Sequence, residues 1–192
     1  MDVNSKVLRC PCCGASIPLK GRECEYCGSP ITICYQTPTN KIDPIKLKKY
    51  IISYEKIQLQ FDGKNETLGI SYLYLKQFAK AIDIFDKAIC ETPNNANLYL
   101  LKSIALLAGK TPFSTPLAVI KEIINNIQTA ILLEDKAVYH YFLAHIKYDF
   151  YNRKFLRISP TCVEELQIAM ALGLTKDDIE CLEKHLQYKI IF

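Results

Sequence analysis

Leu68-Gly69-Ile70-Ser71-Tyr72, then Ala81-Ile82-Asp83-Ile84-Phe85-Asp86-Lys87-Ala88, then Pro93: these residues decide how the chain folds. Apolar side chains recur at intervals of three and four through both runs, the spacing that gathers them along one face of an α-helix. Asp62-Gly63 breaks the pattern before the first run, and Pro93, which lacks the backbone donor, ends the second. The reading extends outward from here. Upstream, Asp43-Pro44 supplies an N-cap and a first helical residue, and Leu47, Tyr50, Ile51, Tyr54, Ile57 and Phe61 mark one face of a helix expected to run to about Phe61. Downstream, turns are expected at Glu91 to Asn95, Gly109 to Pro116, Asn152 to Pro160 and Gly173, and Thr175 with Asp178 forms a capping-box pattern.

At this spacing Leu68, Gly69, Tyr72, Ala81, Phe85, Ala88 and Pro93 resemble a tetratricopeptide repeat over residues 62–95, with Asn65 departing at the first large position. In that geometry Gly69 and Ala81 let two antiparallel helices approach closely, and Tyr72 and Phe85 fill the space toward the next repeat. One repeat cannot bury its own face. More degenerate units follow: residues 96–135, with Tyr99 at the first large position and an insertion from Thr111 to Pro116, and a third unit with Tyr141, Ala144 and Tyr148 that closes at Glu164 to Ala169. The expected fold class is therefore mainly α, a superhelix of about three helix pairs and a capping helix over residues 45–192.

The resemblance also implies a concave groove made by the first helix of each pair. Its positions here are Glu66, Ile70, Leu73 and Tyr74, then Leu100, Ile104 and Leu107, then Tyr139, Phe142, Ile146 and Phe150. That face is apolar and aromatic and lacks the Lys, Arg and Asn clamp of members that grip a terminal carboxylate. The expected occupant is an apolar helix or extended segment of another protein. The competing reading packs the same side chains against the chain's own helices, including Leu186, Ile190, Ile191 and Phe192.

The N-terminus carries the chemistry. Cys10-Pro11-Cys12-Cys13-Gly14 and Cys24-Glu25-Tyr26-Cys27-Gly28 each hold a Cys-x-x-Cys pair, so both thiolates of a pair can meet one ion inside a tight turn. Gly14 and Gly28 permit positive φ just after the second ligand. Four thiolates, Cys10, Cys13, Cys24 and Cys27, close a tetrahedron with no open position, so a structural rather than catalytic metal is expected. The motifs resemble short zinc ribbons, which implies a β-hairpin domain over residues 1–34 holding one Zn²⁺, although this ligand set also accommodates iron. Cys12 should point away from the ion. Cys34 is expected to be packed, as are Cys90, Cys162 and Cys181 on helical patterns. Ile31 to Tyr35 are expected to complete the ribbon's last strand, and residues 35–44, rich in Pro, Thr, Asn and Gln, to form a linker.

Composition narrows the function classes. With 192 residues, a net charge of +4 and no apolar run near the ~20 residues that cross a bilayer, a cytoplasmic chain with reduced thiols and no membrane partner is expected. Lys20 and Arg22 between the knuckles, with Lys46, Lys48 and Lys49 beyond the linker, are the candidate phosphate contacts, though a lysine cluster of this kind is commonly a solvated face. His140, His145 and His185 share no i,i+4 spacing, no acid pair flanks them in sequence, and no phosphate loop or nucleophile elbow occurs, so no enzyme is expected. Glu164-Glu165 and Asp177-Asp178 read as helix starts. The expectation that follows is a non-catalytic protein-binding adaptor, acting alone or as a homo-oligomer; the alternative is a nucleic-acid-associated regulator.

Overall fold

The computed structural model describes residues 8–17, 23–37, 43–56 and 62–192. The chain divides into two compact units, Met1–Ile84 and Phe85–Phe192, and is mainly helical with one small antiparallel sheet.

In the first unit β1 (Leu8–Arg9) pairs with β2 (Ser16–Ile17), Leu8 opposite Ile17 and Arg9 opposite Ser16. Both apolar residues of the pair face inward while Arg9 and Ser16 face water, the alternation a half-buried hairpin requires. An isolated bridge joins Glu23 to Pro30. Helix α1 (Pro44–Lys56) begins as expected: Asp43 Oδ1 accepts from the Ile45 amide at 2.8 Å. Its buried residues Leu47, Tyr50 and Tyr54 fall at helical spacing and face α2 (Lys64–Tyr74), which follows the turn at Asp62-Gly63. The expected continuation of α1 to Phe61 lies outside the described residues.

Residues 31–35 depart from the expectation. They form no strand; Ile31, Ile33 and Tyr35 are buried and alternate with exposed or half-buried neighbours, so this stretch is an extended segment laid against α1 and α2. Without a sheet partner its backbone needs other hydrogen-bonding groups. Side chains supply them: Tyr50 Oη donates to the Pro30 carbonyl, Tyr54 Oη donates to the Ile31 carbonyl at 2.6 Å, Thr67 Oγ1 accepts from the Ile33 amide at 2.8 Å, and Glu66 Oε1 accepts from the Tyr35 amide at 3.3 Å. The compact units part between Ile84 and Phe85, and residues 35–37 of the expected linker lie within the first. Residues 38–42 of that linker are outside the described set.

Helix α3 (Phe78–Glu91) spans the boundary between the units. In the second unit α4 (Ala96–Leu106) packs on α5 (Leu117–Leu133), α6 (Ala137–Ile146) on α7 (Cys162–Ala171), and α8 (Lys176–Leu186) on α6 and α4. The expected turns all occur. Ile120, Ile123 and Ile127 are fully buried on one stripe of α5, each such side chain contributing roughly 1.5–3 kcal/mol by leaving water. All ten residues of α6 are buried, as for a helix covered on every side. Two capping boxes fix the starts of the last helices: the expected one at Thr175 and Asp178, and a second at Thr161 and Glu164.

Candidate metal centre

Each knuckle is built by the same pair of backbone hydrogen bonds, all at 2.8 Å: Cys10 N to Ala15 O and Gly14 N to Cys10 O in the first, Cys24 N to Ser29 O and Gly28 N to Cys24 O in the second. These bonds wrap the chain around the first cysteine and bring the second cysteine back beside it. Closing the wrap needs a left-handed residue, and Gly14 (φ 78°) and Gly28 (φ 65°) provide it, as their positions imply. Cys10 and Cys24 are buried, Cys13 and Cys27 exposed, so each knuckle offers one inner and one outer thiol.

The four sulfur atoms lie within 4.8 Å of one another. Cys10 Sγ is 3.7 Å from Cys27 Sγ, and Cys13 Sγ is 3.7 Å from Cys24 Sγ. An ion bonded to four thiolates at about 2.3 Å at the centre of a tetrahedron sets sulfur–sulfur edges of about 3.8 Å, so the residues fit such an ion. Four thiolates this close would repel one another. Burial pushes Cys10 up to about 12, while hydrogen bonds from the Ser29 side chain and backbone hold Cys27 down to about 6. A cation offsets the burial penalty on the thiolates. Cys12 is half-buried and outside the cluster, as expected. Above the first knuckle, Lys49 Nζ donates to the Cys12 carbonyl at 3.3 Å.

Other expected site residues fall differently. Ile70, Leu73, Leu100, Ile104, Tyr139, Phe142 and Ile146 are each 2% exposed or less, and Leu107 and Phe150 are buried too. The expected groove positions are interior. The Phe192 ring lies against Tyr141, His145 and Tyr148, none of them a groove position, at centroid distances of 5.5, 6.4 and 5.7 Å. The physical reason for the interior groove positions is that large apolar side chains gain free energy by leaving water, and the packing of the helices within each unit gives them that burial. Glu66 is half-buried and spent on Tyr35, and Tyr74 is half-buried. Lys48 and Lys49 are exposed and Lys46 half-buried on α1, while Lys20 and Arg22 lie outside the described residues. Cys34 and Cys90 are exposed rather than packed, and Cys162 and Cys181 are half-buried.

The histidines also differ from expectation. His140, on α6, is bracketed by two carboxylates, one from α7 and one just before α6: Nδ1 is 2.7 Å from Glu165 Oε2 and Nε2 is 2.9 Å from Asp135 Oδ1. Glu165 lies in the first turn of α7, as expected, without being solvated there. It is buried on α7, and its second oxygen accepts from the buried Lys147 at 2.6 Å. Glu164 does serve the helix start, its carboxylate accepting from the Thr161 amide at 2.6 Å. No spacing rule links residues 25 and 18 positions apart, so this network had no sequence signal.

No protein-family model, curated protein or solved structure matches the chain. Among the described residues, no helix is long and apolar enough to cross a membrane.

Proposed function

We propose that this chain is a non-catalytic interaction scaffold, a zinc ribbon seated on tetratricopeptide-like helices that presents an apolar surface to a partner protein. The observation that carries the reading is on α7. Val163 is 59% exposed and Met170 64%, and their spacing of seven puts them on one outer face, with Leu172 exposed just beyond and Phe155 and Leu156 exposed in the preceding loop. Large apolar side chains exposed in this way are costly in water and are found at protein contact surfaces. The interior burial of the groove positions moves the partner surface to this outer face. An amphipathic helix or apolar segment of another protein is the matching ligand.

Zinc is the ion this reading assigns to Cys10, Cys13, Cys24 and Cys27: four thiolates in a closed tetrahedron suit a redox-inert cation that supplies folding energy and leaves no open position for chemistry. Its role is to hold the first unit. The test compares the zinc-loaded chain with Val163→Asp/Met170→Asp by affinity capture at about 50 and about 200 mM salt with nuclease present. A protein retained by the wild type at both salts and lost by the variant is expected. Equal retention by the variant overturns the assignment of the surface, and self-association in light scattering identifies the partner as a second copy.

A second reading, nucleic-acid binding through Lys46, Lys48 and Lys49, has one observation in its favour: Lys49 reaches the Cys12 carbonyl of the first knuckle. The same contact weakens it, because a metal held by four thiolates carries a net −2 charge that Lys49 helps to neutralise. Capture that disappears with nuclease and falls steeply with salt is the outcome that favours this reading.

A further inference from the structure

Helix α6 does not end cleanly at Ile146. It runs on as a π-helical turn over Lys147–Tyr151 and a 3₁₀ turn over Asn152–Lys154, and the chain then loops back into α7. Such π-turns widen a helix and recur at ligand sites. Here the widened turn borders a cleft of about 450 Å³ lined by Lys147, Tyr151 and Asn152 on one side, Leu156, Arg157, Ile158 and Ser159 from the loop, and Thr161 and Cys162 at the start of α7. That volume is in the range of small-ligand sites.

The lining is chemically one-sided. Among the described residues it contains two cationic side chains, Lys147 and Arg157, four further hydrogen-bonding side chains, Tyr151, Asn152, Ser159 and Thr161, and no carboxylate. Burial raises Tyr151, which keeps its phenol a neutral donor. Lys147 is 2% exposed, and its ammonium has Glu165 as one acceptor, leaving donors beyond that single contact. The nearest acid is already occupied: Glu165 divides its two oxygens between Lys147 and His140. Glu164, at the mouth of α7, is turned back onto the Thr161 amide. Holding a lysine almost completely buried is costly, and one buried carboxylate is the minimum that makes it tolerable. Leu156 and Ile158 add apolar area to the same lining.

We propose that this cleft is a binding site for a small organic anion, whose phosphate or carboxylate is held by Arg157, Lys147 and the hydroxyls of Ser159 and Thr161, and whose apolar body lies against Leu156, Ile158 and Tyr151. The site shares no residue with the metal centre; it has Leu156 in common with the exposed apolar surface, whereas Val163 and Met170 do not line it. Cys162, half-buried in the lining, provides a reporter because a bound ligand shields its thiol.

The test uses the full metal-loaded chain, with phenyl phosphate as probe and phenol as its uncharged counterpart. Binding is followed by calorimetry and by the rate at which iodoacetamide alkylates Cys162, resolved from the other cysteines by peptide mass spectrometry. Phenyl phosphate is expected to saturate at about 1 mM, the affinity appropriate to a ligand of roughly ten heavy atoms, and to slow alkylation of Cys162, whereas phenol does neither. Arg157→Ala, at an exposed position and with retention of the fold checked by circular dichroism, should weaken binding about tenfold or more. Lys147→Met should abolish it, but that variant also strands Glu165, so Arg157→Ala decides. No saturation by about 10 mM, equal protection by phenol, or undiminished binding by Arg157→Ala would each overturn the proposal.

Discussion

Replacing Thr67 by valine removes one hydroxyl without changing the volume of the side chain, and it acts on the contact that joins the metal-bearing segment to α2. Thr67 is fully buried; its Oγ1 accepts from the Ile33 amide at 2.8 Å, and its hydroxyl lies 3.4 Å from the Ile33 carbonyl. Ile33 is itself 1% exposed, so water cannot replace the lost acceptor. A buried amide left without a partner costs about 1–3 kcal/mol. In small metal-bound domains ion binding and folding are one equilibrium. The cost should therefore appear as weaker metal affinity, about 5- to 150-fold. Competition with a chromogenic chelator measures this directly, and urea unfolding followed by tyrosine fluorescence measures the companion loss of stability. A metal affinity within about twofold of wild type, together with an unchanged unfolding midpoint, would refute the view that residues 31–35 and the metal site fold onto α1 and α2 as one body.

Three further outcomes are expected. Elemental analysis should give one ion per chain for the wild type and Cys12→Ser and a large loss for Cys10→Ser, Cys13→Ser, Cys24→Ser or Cys27→Ser, because only these last four sulfurs converge; an ion retained by any of the four contradicts the site. Burial holds His145 down to about 4, below its ordinary 6.5, so the unfolded chain takes up a proton that the folded chain refuses. Stability from this group is thus present above about pH 6.5 and falls as pH drops toward about 4, by up to about 3 kcal/mol, and His145→Gln should flatten that part of a thermal-melt pH profile. Finally, Glu165→Gln breaks a buried ion pair and should cost about 3–5 kcal/mol, with the Glu165→Gln/Lys147→Met double variant regaining part of the loss; a double variant no more stable than Glu165→Gln argues that the pairing of Lys147 is unimportant.

What could be read from the chain alone was local. A Cys-x-x-Cys followed by glycine carries its turn within six residues, which is why both knuckles and all four converging sulfurs match the reading. Helix punctuation is equally local: Asp43, Thr175 and the Gly, Asn and Pro turns act on amides two or three residues away, and those starts and turns fall where expected. Tertiary structure decided what depends on partners far along the chain. Residues 31–35 have the alternating pattern of a strand, but a strand needs a neighbour, and the groups that meet this backbone come from Tyr50, Tyr54, Glu66 and Thr67. Helical periodicity identified apolar faces correctly and could not say whether water or the chain's own helices would meet them, since a groove wall and a core wall have the same composition. His140, Lys147 and Glu165 had no readable link, because a buried charge network is defined by the through-space approach of α6 to α7 rather than by any spacing in the sequence.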